Sequence, residues 1–175
     1  ATSAFAVLMT SLPVTAAVIT FDDLVTGQTS FGFDGDTDGT NDVVFSTTDP
    51  SGFNTVGPGL DQNFVDEPGL EGSTEIVGHD LRVDFVFGAV GSLSFGFAIS
   101  TSLSFDPAVT FQVFDSGGAL LASQTAGADF TDVGGESSAF PEGELSVAFD
   151  GVASYALFEF VDDPSRHIID NFAGT

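Results

Sequence analysis

Polar and apolar residues alternate one by one through Leu81-Arg-Val-Asp-Phe-Val-Phe87, so that Leu81, Val83, Phe85 and Phe87 share a face. The same period runs through Ser92-Leu-Ser-Phe-Gly-Phe-Ala-Ile-Ser100, with Leu93, Phe95, Phe97 and Ile99 on one side and Ser, Gly and Ala on the other. A period of two is that of a strand with one buried face. Further strands are predicted at 18–21, 29–33, 42–47, 108–114, 119–126, 144–149, 153–161 and 166–172. Turn signals separate them: Asp106-Pro107, Ser116-Gly-Gly118, Gly134-Gly135, Pro141-Glu-Gly143 and Asp162-Asp-Pro164. Residues 48–75 are rich in Gly, Pro and acids and read as a long ordered loop with at most one short strand.

About nine or ten short strands with no helical periodicity between them predict an all-β fold, an antiparallel two-sheet β-sandwich of jelly-roll type. Neither an internal repeat nor a linker interrupts residues 18–175, which read as a single β-sandwich domain. The bland face of Ser94, Gly96, Ala98 and Ser100 is expected under a covering segment, against a neighbour or partly exposed.

Residues 1–17 form an apolar N-terminal extension, nearly charge-free and rich in Ala, Val and Leu. Two readings compete. Small residues at Val14-Thr-Ala-Ala17 suit a signal-peptidase cut, making the stretch a residual export signal. Alternatively it is a subunit-connecting arm, with Phe5, Val7, Leu8, Met9, Leu12, Val14, Val18 and Ile19 as its assembly residues. Thr10, Ser11, Pro13 and Thr15 break it, so it falls short of the ~18–20 apolar residues of a membrane span.

Charge narrows the partners. Twenty-six Asp and Glu stand against two cations, Arg82 and Arg166, giving a net charge of −24. Such a chain repels phosphate backbones and anionic lipid, so neither nucleic acid nor a membrane surface is an expected partner. Self-repulsion of this size favours bound divalent cations or a saline exterior. With no Cys, disulfides and thiolate chemistry are excluded.

The cation has an obvious address. Asp34-Gly-Asp-Thr-Asp-Gly-Thr-Asn-Asp42 places acids at every second position, a Gly sixth and an acid ninth, the pattern of an EF-hand loop through nine positions. Ca2+ takes six to eight oxygens at short range, and a tight turn with alternate acids can aim several of them inward. Asp34, Asp36 and Asp38 would give side chains, Thr40 its carbonyl and Asp42 a carboxylate. Position twelve, where an EF hand has Glu, is Phe45, and the flanks Ser30–Phe33 and Val43–Phe45 read as strands. The loop thus resembles those of dockerins and thrombospondin type 3 repeats, set in a β context. The competing reading is a solvated acidic hairpin.

A second resemblance joins the two ends. The chain opens with Ile19-Thr-Phe-Asp-Asp23 and closes with Ile168-Ile-Asp-Asn-Phe172. These stretches, and the Gly- and Phe-rich interior, resemble jelly-roll domains of exported bacterial proteins of the PEP-CTERM group, over about residues 14–175. The Val-Pro-Glu-Pro motif, hydrophobic helix and basic tail of that group's sorting signal are not in this sequence. The likeness to carbohydrate-binding jelly rolls implies a second metal at Asp22, Asp23 and Asp170; otherwise these are strand-end turn residues. Asp61, Asp66, Glu67, Glu71 and Glu75 of the long loop are read as facing water.

Catalysis finds little support. His79 and His167 are isolated, no zinc spacing occurs, and Gly91-Ser-Leu-Ser-Phe-Gly96 is no nucleophile elbow. The leading expectation is therefore a structural subunit of an extracellular filament or surface assembly. It would be calcium-stabilised and linked head-to-tail as a homo-oligomer by the N-terminal strand entering a neighbouring sandwich. The alternative is a secreted calcium-dependent carbohydrate-binding module with polysaccharide as partner. It would have to bind with Tyr155 as the sole Tyr and no Trp. An enzyme on a sandwich scaffold comes third.

Overall fold

The computed structural model describes residues 17–55, 62–66, 68–72, 81–161 and 166–174. In chain order the strands are β1 (Val18–Ile19), β2 (Ser30–Phe33), β3 (Val43–Thr47), β4 (Phe53–Asn54), β5 (Leu70–Gly72) and β6 (Leu81–Ile99). There follow β7 (Phe105–Phe114), β8 (Leu120–Ala128), β9 (Asp132–Val133), β10 (Glu136–Ser137), β11 (Glu142–Phe160) and β12 (His167–Gly174). Pairing among them is antiparallel, and the described residues contain no helix. The all-β sandwich expected from the alternation is the fold adopted.

Its construction differs from a stack of short strands. β6 and β11 are 19 residues each and pair with one another along most of their length. The expected strands at 81–87 and 92–100 are two halves of β6, and those at 144–149 and 153–161 are two halves of β11. The first half of β6 and the second half of β11 carry β3, β2, β7 and β8; the other halves carry β12, β5, β4 and β1. Leu81, the partner of Phe158, lies fourteen positions before Phe95, which would be about 46 Å along an extended strand. Yet the Phe95 and Phe158 rings are 4.9 Å apart. The ladder therefore folds back on itself. It turns at Gly88, Gly91 and Gly151, all with φ between 82° and 99°, where the β6–β11 register also shifts. Only residues without Cβ adopt such φ freely, so the glycines act as a corner and not as a turn. Phe87, expected on the buried face, sits at that corner and is 69% exposed.

The core lies between the two layers. Phe172 of β12 is its hub, with ring centroids 5.2 Å from Phe45 and 6.4 Å from Phe85, Phe95, Phe111 and Phe158. Each fully buried Phe contributes about 1.5–3 kcal/mol of apolar transfer free energy. Val18 and Ile19 pair with Ala173 and Phe172 of their own chain, and Ile19 is buried in this core. That corrects the expected assembly role of Ile19, because a side chain holding its own sandwich together is not free for a neighbour's, while Val18 stays 52% exposed. Phe5, Val7, Leu8, Met9, Leu12 and Val14 lie outside the described residues.

Residues 62–66 resolve the bland face. They lie over the second half of β6, so close that a Cβ at Gly96 would stand 1.8 Å from the Phe64 carbonyl oxygen. Val65 packs there against Ala98 and Ile168. The buried Glu142 carboxylate holds the loop, accepting from the backbone N–H of Asn63 and of Phe64 at 2.9 Å and from the Thr131 hydroxyl. The small residues of that face are the seat of a covering segment, and the long loop also contributes two short strands, β4 and β5.

Candidate functional site

Three features carry chemistry. The first is the turn between β2 and β3. Carboxylate oxygens of Asp34, Asp36 and Asp42 all lie within 4.8 Å of one another. Two ligands at about 2.4 Å from one ion can be no farther apart than that, so these three fit a single Ca2+. Thr37 (φ 61°) and Gly39 (φ 92°) make the bend that turns the backbone inward. Asp34 accepts from the Asp38 and Gly39 amides at 3.2 and 2.8 Å, and Asp42 Oδ2 from the Gly35 amide at 2.8 Å. Asp38 departs from the expected ligand set: its carboxylate caps the Thr40 amide at 2.7 Å and is not in the cluster. The Asp38 amide lowers the Asp36 pKa, but desolvation and the charges of Asp38, Asp42 and Asp34 outweigh it and leave the group raised.

The second feature is where β1, β12 and the 62–66 loop meet. Asp170 is 1% exposed. Its Oδ2 accepts from the Asp66 amide at 2.9 Å and the Asn171 side chain at 3.3 Å, while Oδ1 is buried with no partner among the described residues. Burial pushes the pKa up to about 6; the Asp66 and Asn171 amides oppose this, and the charges of Asp66 and Asp22 add to it. Asp22 acts on Asp170 through its charge, but the described residues bring no third acid within ligand distance of the two. Asp23 is exposed and does not figure in the Asp170 environment; Asp66 is exposed, as expected, and meets Asp170 through its backbone amide.

The third feature is the outer face of the layer built from β3, β6, β11, β7 and β8. Inward residues such as Val83, Val113 and Ala156 leave Arg82, Asp84, Gln112, Phe114, Tyr155 and Leu157 pointing outward, all half-buried. Tyr155 and Phe114 are cross-strand partners whose rings stack at 4.9 Å and 11°. The Arg82 guanidinium lies 3.9 Å from the other face of Tyr155 and forms a fork with Asp84, at 2.5–2.9 Å. Hydrogen bonding to Asp84 raises the Arg82 pKa, with partial desolvation opposing it. Arg82, Tyr155 and Phe114 therefore form one row across three strands, with Arg82 and Asp84 each 40% exposed. The acidic turn adjoins this layer, since the Val86 amide donates to the Asp42 carbonyl at 2.9 Å. Of the row, only Tyr155 stood out in the sequence. Its partners Phe114 and Arg82 stand 41 and 73 positions away, a pairing that no local pattern encodes.

No protein-family model and no curated sequence matches the chain. Solved structures with a similar outline include the CBM27-1 module of Caldicellulosiruptor saccharolyticus in complex with mannohexaose, at 16% identity and TM-score 0.49, covering 91% of this chain and 96% of that one. A CBM29-2 variant complexed with mannohexaose follows at 14% identity and TM-score 0.45, covering 93% and 92%. The K2 cleaved adhesin domain of Lys-gingipain has 16% identity and TM-score 0.44, covering 91% and 97%. At these values the likeness carries no inference about a ligand. Among the described residues no helix is long and apolar enough to cross a membrane.

Proposed function

We propose that the protein is a secreted, non-catalytic polysaccharide-binding module whose β2–β3 loop takes Ca2+. The observation that carries this is the half-exposed row of Arg82, Tyr155 and Phe114 on an open sheet face. A polysaccharide chain laid across such a face meets guanidinium, carboxylate, amide and phenol groups at strand spacing, with aromatic edges between them. Both faces of the Tyr155 ring are already covered, so recognition runs through hydrogen bonds and ring edges, without a stacked sugar ring. When bound, Ca2+ would neutralise Asp34, Asp36 and Asp42 and fix the turn that ends this layer. Affinity electrophoresis against a panel of soluble polysaccharides tests the reading. The wild type should be retarded by at least one polymer, Tyr155→Ala and Arg82→Ala much less, and Asp36→Asn in Ca2+ should migrate like wild type in chelator. A protein retarded by none, or a Tyr155→Ala variant retarded equally, refutes it.

One observation favours a second reading, the head-to-tail subunit. Between Phe85, the last partner of β3, and Leu93, the first of β12, no described strand lies along that edge of β6. The exposed Val86, Phe87, Val90 and Val152 surround it. An open strand edge with apolar neighbours is a template for an added strand. Residues 4–16 of a neighbour supply one in this reading. Deleting residues 1–16 should then abolish filaments seen by electron microscopy while leaving a folded domain; filaments that persist dispose of it.

A further inference from the structure

We propose that two copies of the chain pair antiparallel through β8, with Gln124 at the two-fold axis, so that their outer faces join into one continuous sheet.

β8 ends its layer: it pairs with β7 on one side and with no described strand on the other. The other outermost strands of that ten-stranded set are β1 and β4, of two residues each, and β2, of four, which runs into the acidic turn. β8 has nine residues, and its middle, 122–126, follows β7 without a bulge. An open edge of this length is a template for another strand, and proteins blunt such edges with charge, proline, a bulge or a cover. β8 carries neither charge nor proline. Ser123, Gln124 and Thr125 are exposed, and the strand's one side-chain hydrogen bond among the described residues is local, from the Gln124 amide to the adjoining Thr125 carbonyl at 3.3 Å.

Charge selects the occupant. Two copies of net charge −24 repel each other, so they meet most easily where acids are absent. From Ser116 to Ala128 there is none. Antiparallel pairing of identical strands is isologous, so this uncharged edge faces itself along its length and the contact closes at two. Centred on Gln124, the pairing sets Ser123 opposite Thr125 of the second copy and Ala122 opposite Ala126. The two Gln124 amides meet at the axis, each with a donor and an acceptor for the other.

Partners in an antiparallel pair point to the same face. Ser123 and Thr125 pair with Gln112 and Thr110 of β7, on the outer face that also holds Phe114 and Tyr155. The outer faces of the two copies therefore merge. From β11 of one copy to β11 of the other is five strand spacings, so the two Tyr155 rows stand about 24 Å apart on one surface. Occupation of both rows by a single polymer rests on the polysaccharide reading; the pairing itself does not.

Analytical ultracentrifugation of the full chain at physiological salt, where repulsion is screened beyond about 8 Å, tests this. At about 100 µM an interface of micromolar Kd is largely dimeric, so the wild type should sediment at twice the chain mass. Ser123→Glu, which puts a carboxylate into each half of the edge, should sediment at the chain mass with native circular dichroism. If it does not fold, Gln124→Glu carries the same expectation. Cα atoms of directly opposed residues stand about 4.5–5.5 Å apart, within disulfide reach. The chain has no Cys, so Gln124→Cys under mild oxidation should give a covalent dimer, and Glu136→Cys on the exposed β10 should not. A wild type that does not sediment at twice the chain mass, a folded edge variant that stays dimeric, or a Gln124→Cys protein that crosslinks no faster than Glu136→Cys overturns the interface. Polysaccharide takes no part in these measurements, so their failure is distinct from failure of the proposed function.

Discussion

Replacing Gly96 by Ala adds one methyl group on an extended strand, where Gly→Ala ordinarily stabilises by about 0.4–1 kcal/mol through the unfolded chain. Here the added Cβ would come 1.8 Å from the Phe64 carbonyl oxygen and 2.7 Å from its carbon. The clash is with backbone, not with a flexible side-chain tip, so the loop must lift. Lifting strains or breaks the amide bonds of Asn63 and Phe64 to Glu142 and that of Asp66 to Asp170, and uncovers Val65. A hydrogen bond to a charged group contributes about 1.5–3 kcal/mol, and burying a Val about 1.5 kcal/mol or more. Even with half of this recovered from water, Gly96→Ala should cost about 3 kcal/mol, or about 6–12 °C in melting temperature for a chain this size. Urea unfolding measures the cost. Chymotryptic cutting after Phe64 reports whether the loop has lifted, and should become faster. A variant with an unchanged or higher urea midpoint and a protected Phe64 would show that the loop does not bear on β6 as described.

Two further outcomes follow from the same packing. Phe172→Ala removes the ring that joins both layers and should destabilise by about 3–5 kcal/mol in urea unfolding; a loss under about 1 kcal/mol would mean the layers meet elsewhere. His167 lies flat on Phe160, 4.0 Å between ring centres, and burial lowers its pKa from 6.5 to about 4. The unfolded chain therefore binds this proton more readily, so the stability that the neutral imidazole secures above pH 6.5 is lost as pH falls from 6.5 through 4. The linkage sets an upper bound of about 3 kcal/mol, reduced to about 1–2 because part of the ring reaches solvent. Between pH 7 and 4, wild type should lose that much more than His167→Gln in urea midpoints converted to free energy; equal losses would contradict it.

What the sequence reveals here is what lies close along the chain. The alternation at Leu81–Phe85 and Leu93–Ile99 names the inward residues, because a strand's faces are set by local geometry. The acids of the β2–β3 turn are legible for the same reason, since Asp34, Asp36 and Asp42 converge within one bend. Phe87 fails the pattern because the ladder turns its corner at Gly88, and glycine marks a turn and a fold-back alike. Asp38, expected with the turn acids, lies outside their cluster, its carboxylate on the Thr40 amide. Asp66 and Glu142 were beyond reach: the amide bonds that define them join residues 78 to 104 positions apart. In a chain with 26 acids nothing local separates these two from the rest.

The pairing of Val18 with Ala173 has a mechanical consequence. The first and last described strands lie side by side and antiparallel, so the polypeptide enters and leaves the sandwich at one spot. Whatever chain lies on either side, the domain hangs from it as a pendant, and tension does not pass through its length. A pull on both ends opens the two-residue β1 pairing one rung at a time, as a zipper, and draws Ile19 from the core before the long β6–β11 ladder feels any load. A ladder of only two pairs is thus the first point of yield when the domain is pulled from its ends.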